Sequence, residues 1–71
     1  MSKLYFIDRI KTEYKEVRDR TDKLHDFICT DTYDRLPFTE RLLLEWQYDS
    51  MIAYCKVLLL RLEYYENTKQ N

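Results

Sequence analysis

The 71-residue sequence contains no glycine, and it has only one proline, one histidine and two cysteines. Phosphate-binding loops, nucleophile elbows and dinucleotide-binding turns depend on glycine, because only glycine allows the close backbone approach or the positive φ that they require. The sequence therefore argues against several large classes of enzyme. No arrangement of nucleophile, base and oxyanion donors is recognisable either, so we expect a protein without catalytic activity.

Sulfur and imidazole groups are too scarce to build a disulfide scaffold or a metal site. Cys29 and Cys55 form no Cys-x-x-Cys motif and are expected to stay reduced. For His25 we expect a surface or interface position, no cysteine beside it within a helical turn, and no catalytic role. We expect no metal and no cofactor, which leaves oligomerisation as the means by which so short a chain reaches a stable fold.

The charges are balanced, with 12 basic and 13 acidic residues interspersed along the chain. Proteins that bind nucleic acid usually carry a basic stripe, so we expect no nucleic-acid partner. Charged residues interrupt the N-terminal segment before the apolar region of a signal sequence is complete. No apolar run approaches the roughly 20 residues of a bilayer span. We therefore expect no membrane partner and a cytoplasmic location.

Two long amphipathic segments predict two helices. In each, mostly apolar residues alternate at spacings of three and four, the heptad pattern of a helix that packs along one face. The two sets of heptad positions are Ile7, Ile10, Tyr14, Val17, Thr21, Leu24 and Ile28, then Leu44, Tyr48, Met51, Cys55, Leu58, Leu62 and Tyr65. We place helix 1 at 3–28 with Ser2 as N-cap, a connection at 29–37, helix 2 at 38–66, and a frayed tail at 67–71. Pro37 suits the first turn of helix 2.

The two heptad sets match each other in antiparallel order. Pairing runs from Ile7 with Tyr65 to Ile28 with Leu44, and in all seven layers the two residue numbers add up to 72. Such consistent layers predict an all-α fold, an antiparallel two-helix hairpin of coiled-coil type that forms a single domain over residues 1–71. The connection has room for one helical turn that places Tyr33 and Leu36 against the end of the hairpin.

Helix 2 carries a second apolar stripe, which a single partner helix cannot cover. This outer stripe follows a heptad of its own, with small residues in its middle. It consists of Trp46, Ser50, Ala53, Val57, Leu60 and Tyr64. We predict that the outer stripe joins copies of the chain into a homodimer with a four-helix bundle, or into a higher oligomer. The alternative is a groove for a foreign protein or ligand.

Aromatic residues are abundant, with seven tyrosines, three phenylalanines and one tryptophan. Aromatic side chains at helical spacing usually serve packing. One group also includes a guanidinium, and such a group at an oligomer interface is a candidate site for a nucleotide or an acidic partner. This group consists of Tyr54, Arg61, Tyr64 and Tyr65.

Residues along most of the chain resemble a class of small helical-hairpin proteins encoded by bacteriophages, including the crAss-like phages. The matching positions are Ile10-Lys11-Thr12-Glu13-Tyr14-Lys15-Glu16, Arg20-Thr21-Asp22-Lys23-Leu24, Phe27, Ile28, Leu36-Pro37, Leu42-Leu43, Gln47, Met51, Tyr54, Leu58 and Arg61. The resemblance implies a phage accessory protein in a bacterial cytoplasm, and it implies no active-site residue.

Three non-enzymatic functions fit these features. The first is a protein that binds and blocks a host factor, such as a component of antiviral defence. The second is an oligomeric sponge that sequesters a nucleotide immune signal between protomers. The third is a structural helper in virion assembly.

Overall fold

The computed structural model describes the backbone of residues 2–68 and the side chains of residues 5–67. Within that range two long helices, α1 (Ser2–Ile28) and α3 (Phe38–Thr68), flank a one-turn helix, α2 (Asp31–Asp34). The long helices lie antiparallel and pack along their length, which confirms the predicted helical hairpin. The molecule is a rod of 53 × 15 × 14 Å.

The helix ends differ slightly from the prediction. Ser2 is already helical, so it is not the predicted N-cap. Pro37 precedes α3, and its carbonyl oxygen accepts a hydrogen bond from the Arg41 amide at 3.1 Å. Pro37 is therefore the N-cap residue of α3 and, contrary to the prediction, does not belong to its first turn. α3 continues to Thr68, which makes residues 67 and 68 helical; the rest of the predicted frayed tail, 69–71, lies outside the described residues.

All fourteen predicted heptad residues are buried or half-buried. Leu58 and Thr21 are the most enclosed, each with 1% of its surface exposed. The Thr21 hydroxyl donates to the Val17 carbonyl at 2.7 Å and lies 3.8 Å from the Cys55 sulfur. The one polar heptad residue is therefore hydrogen-bonded inside the core, which avoids the cost of an unpaired buried hydroxyl.

The ring contacts between the long helices agree with the predicted register to within one residue. The rings of Phe6 and Tyr65 lie 5.0 Å apart, and those of His25 and Tyr48 lie 5.7 Å apart. The numbers in these pairs add up to 71 and 73, on either side of the predicted 72. One-residue offsets are expected because each pair joins a heptad residue of α3 to a residue of α1 that lies next to a heptad position.

The outer face of α1 is held by ion pairs within the helix. Glu16 pairs with Arg20 at 3.9 Å and Asp19 with Lys23 at 3.2 Å, in the acid-before-base order that supports a helix. All four side chains are well exposed, so each pair contributes only a few tenths of a kcal/mol.

The connection folds back onto the hairpin through α2. Thr30 caps this turn, because its hydroxyl oxygen accepts the Tyr33 amide at 3.2 Å. Tyr33 is buried and meets the Phe27 ring edge-on at 6.2 Å. The Tyr33 side chain thus covers the closed end of the hairpin.

Within residues 2–68, no helix has an apolar stretch long enough to cross a bilayer.

Candidate functional site

The candidate site lies toward the open end of the hairpin, where Arg61 of α3 stands over aromatic rings. Its guanidinium carbon is 5.5 Å from the centre of the Phe6 ring and 5.9 Å from that of Tyr65. Phe6 and Tyr65 meet edge-to-face at 5.0 Å, and Tyr65 meets Tyr64 in the same manner at 5.3 Å. We call these three consecutive rings the aromatic shelf.

Helix geometry explains how the shelf is assembled. Arg61 and Tyr65 are four residues apart, so they lie on the same face of α3, one turn from each other. The antiparallel register then brings Phe6 of α1 beside Tyr65. The shelf thus depends on the hairpin itself, since one of its rings comes from the other helix.

A small cavity opens beside the guanidinium of Arg61. It has a volume of about 160 Å³. Its lining residues are Phe6, Arg9, Ile10, Glu13, Leu58 and Arg61. Complete small-molecule pockets usually enclose roughly 300–1,000 Å³, so this cavity by itself is smaller than a complete pocket.

The charge around the cavity favours an anion. Arg9 and Arg61 both line it, and among the described side chains neither forms an ion pair with a carboxylate. Glu13 is the carboxylate at the cavity, and it accepts a hydrogen bond from the Tyr54 hydroxyl. That hydrogen bond, with burial adding to it, raises the pKa of Tyr54, while the charge of Arg61 acts in the opposite direction.

The structure unites only part of the predicted aromatic group. Arg61, Tyr64 and Tyr65 form one cluster, whereas the Tyr54 hydroxyl turns toward Glu13 on α1. The contribution of α1 through Phe6, Arg9 and Glu13 was not predicted. The predicted register would have indicated this contribution. Pairing residues whose numbers add up to 72 places Phe6 opposite residue 66, next to Tyr65.

The outer stripe faces away from α1. In the single chain, Trp46 is 58% exposed, Leu60 56% and Tyr64 64%, and Ser50, Ala53 and Val57 are exposed as well. Its predicted role in self-association stays a prediction.

His25 departs from expectation in one respect. The Cys29 sulfur lies 3.9 Å from its Nε2 atom, because residues four apart share a helix face, so the expectation of no cysteine beside His25 is wrong. Asp26 is 4.0 Å from the ring. Among the residues that the structure describes, no three potential metal ligands come together.

Comparison with known proteins identifies one family. Residues 5–64 match the family model of Sequestin, a range that includes the hairpin core, the outer stripe and every cavity-lining residue. Comparison with the curated proteins and with the solved structures gave no match. Since the matched range covers most of the chain, the protein belongs to the Sequestin family.

Proposed function

We propose that this chain is a sequestering protein, which binds a small anionic ligand of the nucleotide class and holds it unchanged. The family name is compatible with a sequestering, binding role. The observation that carries the choice of ligand is the exposed Arg61 guanidinium over the rings of Phe6 and Tyr65. A nucleotide suits this arrangement, because it combines an anionic phosphate, which pairs with a guanidinium, and a flat base, which stacks on an aromatic ring.

Different side chains would recognise the phosphate and the base. A guanidinium presents paired N–H donors that match the oxygens of a phosphate group, and Arg61 has such donors to offer. Arg9 brings a second positive charge to the same cavity. A base stacked on an aromatic ring gains roughly 1–3 kcal/mol, which the aromatic shelf supplies. No group has to react, because sequestration requires only stoichiometric binding.

The biological setting we propose is a bacteriophage accessory protein in the cytoplasm of an infected bacterium. There the ligand would be a nucleotide immune signal, and holding it would prevent its detection by the host. The resemblance of the sequence to phage hairpin proteins supports the setting, and the family name supports the mode of action.

Isothermal titration calorimetry tests this proposal with AMP, ADP, cyclic AMP, cyclic GMP, cyclic di-AMP and cyclic di-GMP. We expect saturable binding of at least one of them at micromolar or lower Kd, and chromatography should recover it unaltered. Arg61→Gln should weaken binding at least tenfold, about 1.4 kcal/mol. The matched control is Arg20→Gln, since Arg20 pairs with Glu16 on α1 away from the cavity. If none of these nucleotides binds, the proposal is wrong.

A second candidate is a protein that binds and blocks a host factor as an anti-defence inhibitor. The apolar outer stripe favours it, because exposed patches of this kind mark protein interaction surfaces. Affinity capture from an infected host lysate, compared with a Leu60→Glu variant, tests it. A specific protein that is lost with the variant would support this function over nucleotide sequestration.

A further inference from the structure

The outer stripe reads the same in both directions along α3. Its spacings are four, three, four, three and four residues, so the positions pair about a centre near Cys55. Trp46 pairs with Tyr64, Ser50 with Leu60, and Ala53 with Val57, and each pair of numbers adds up to 110. Two copies of α3 packed antiparallel about a two-fold axis would therefore bring every stripe residue onto its counterpart.

The pairing also fits side-chain size. At the centre, the small Ala53 meets Val57, and Ser50 meets Leu60, so a small residue always faces a branched one. Such pairs let two helices approach and interdigitate without a void. The stripe contains no charged residue, so no charge has to be buried when two copies meet.

The exposed apolar surface is concentrated on α3. Among the described residues, the large hydrophobic side chains left exposed on α1 are Tyr5 and Phe6 alone, whereas α3 exposes nine. The four large stripe residues expose on the order of 400 Å² per chain, taking roughly 150–250 Å² for a whole large side chain. Burying two such surfaces removes on the order of 800 Å², which is below the roughly 1,200 Å² at which standard specific interfaces begin and is typical of weak, transient association. We expect a dimer that dissociates at low concentration.

We infer that two copies of this chain pack their α3 helices antiparallel about a two-fold axis near Cys55, and that each completes the other's ligand site. The second half of this inference rests on the proposed function. The occupant of the outer stripe is thus a second copy of the same chain.

The two-fold axis places partner residues at the site. Tyr64 is both the last ring of the aromatic shelf and a member of the outer stripe, and its counterpart is the partner's Trp46. The shelf then continues from Phe6, Tyr65 and Tyr64 onto a fourth ring from the other copy. This extension adds aromatic surface to the shelf, whose Phe6 ring lines the cavity of about 160 Å³.

In a two-fold dimer of this kind, the same side of α3 lies on the same face of the dimer in both copies. Tyr54 and Arg61 lie on the flank that faces the cavity, so both copies present their sites on the same face. The two Arg61 residues lie about six residues on opposite sides of the axis, which separates them by roughly 20 Å along the helices. The dimer therefore holds two sites.

The test begins with mass and fluorescence in the absence of ligand. Sedimentation equilibrium of the full chain should give twice the 8.9 kDa chain mass at tens of micromolar and fall toward the single-chain mass on dilution. Trp46 is the only tryptophan, so its emission should shift to the blue as the dimer forms. Ala53→Glu should remain a helical monomer, because residue 53 is exposed in the hairpin.

The matched control is Thr12→Glu, which adds the same charge on the exposed face of α1 and should leave the dimer intact. A single-chain mass for the wild type, or an unchanged mass for Ala53→Glu with its helicity retained, would overturn the association.

Calorimetry with the nucleotide panel then separates the two proposals. Ala53→Glu and Trp46→Ala should each bind at least tenfold more weakly than the wild type. If the monomeric variant binds as well as the wild type, the shared site is wrong while the sequestering function stands. If the wild type binds no nucleotide, the sequestering function and the shared site both fail, and the mass measurement alone decides the dimer.

Discussion

The Tyr33 hydroxyl donates a hydrogen bond to the carboxylate of Glu45, twelve residues further along the chain. The Arg41 carbonyl oxygen lies 3.0 Å from the same hydroxyl. Tyr33 belongs to the one-turn helix α2, and Glu45 belongs to α3. The contact therefore fastens the connection to the second long helix at the closed end of the hairpin.

We predict that this contact makes stability fall in alkaline solution. Burial, together with the hydrogen bond to Glu45, raises the pKa of Tyr33 from 10.0 to about 12. Above pH 10 the unfolded chain releases this proton while the folded chain keeps it, so the contribution is complete below pH 10 and is lost as the pH rises toward 12.

Urea unfolding followed by circular dichroism should show this loss in the wild type. Tyr33→Phe should unfold more easily at neutral pH and should change less between pH 10 and 12. Tyr5→Phe, at a position that is 65% exposed, should keep the wild-type pH dependence. Equal slopes for all three proteins would contradict the assignment to Tyr33.

The long helices could be predicted because apolar residues recur at regular helical spacing along both segments. Each buried layer recurs every three or four residues, and a polar residue such as Thr21 does not hide the pattern when its neighbours keep it. The Tyr33–Glu45 contact has no such pattern, since it depends on the path of an irregular connection. Phe6 was missed for a related reason: it lies outside the heptad and is 37% exposed, so only the register of the hairpin brings it to the site.

Leu58 and Leu60 are two residues apart on α3 and should differ sharply in their contribution to stability. Leu58 is 1% exposed in the core, and Leu60 is 56% exposed on the outer stripe. Leu58→Ala should cost roughly 2–5 kcal/mol of unfolding free energy, because it leaves a cavity. Leu60→Ala should cost the monomeric Ala53→Glu chain less than about 0.5 kcal/mol.

Chemical denaturation of both variants in the Ala53→Glu background measures these costs without the dimer. In the otherwise wild-type chain, Leu60→Ala should instead lower the dimer affinity, which sedimentation reports. Comparable destabilisation of the monomer by the two substitutions would show that the hairpin buries residue 60.

The Thr30 cap of α2 should stabilise the hairpin. The Thr30 hydroxyl donates to the Phe27 carbonyl at 2.6 Å and accepts the Tyr33 amide at 3.2 Å. Thr30→Ala removes both bonds and should destabilise the hairpin by ~1 kcal/mol. Thr30→Ser keeps the hydroxyl and should stay within about 0.5 kcal/mol of the wild type. Thermal unfolding distinguishes them, and an unchanged Tm for Thr30→Ala would mean that α2 does not need its cap.

The Glu13 carboxylate at the cavity should weaken the binding of an anion. Glu13 opposes the charges of Arg9 and Arg61, and it is held by the Tyr54 hydroxyl. Glu13→Gln removes one negative charge while an amide oxygen remains to accept from Tyr54. An anionic ligand should then bind about two- to fivefold more tightly, as expected for one like charge removed at a partly solvated distance.

Calorimetry at low and high salt tests this charge effect. The gain should shrink as salt rises, because screening weakens the repulsion that the substitution removes. Glu40→Gln, in the first turn of α3 at the opposite end of the hairpin, removes the same charge away from the cavity and should leave the affinity unchanged. Weaker binding by Glu13→Gln would instead mean that the carboxylate itself accepts a hydrogen bond from the ligand, so that its role would be recognition of the base rather than repulsion of the phosphate.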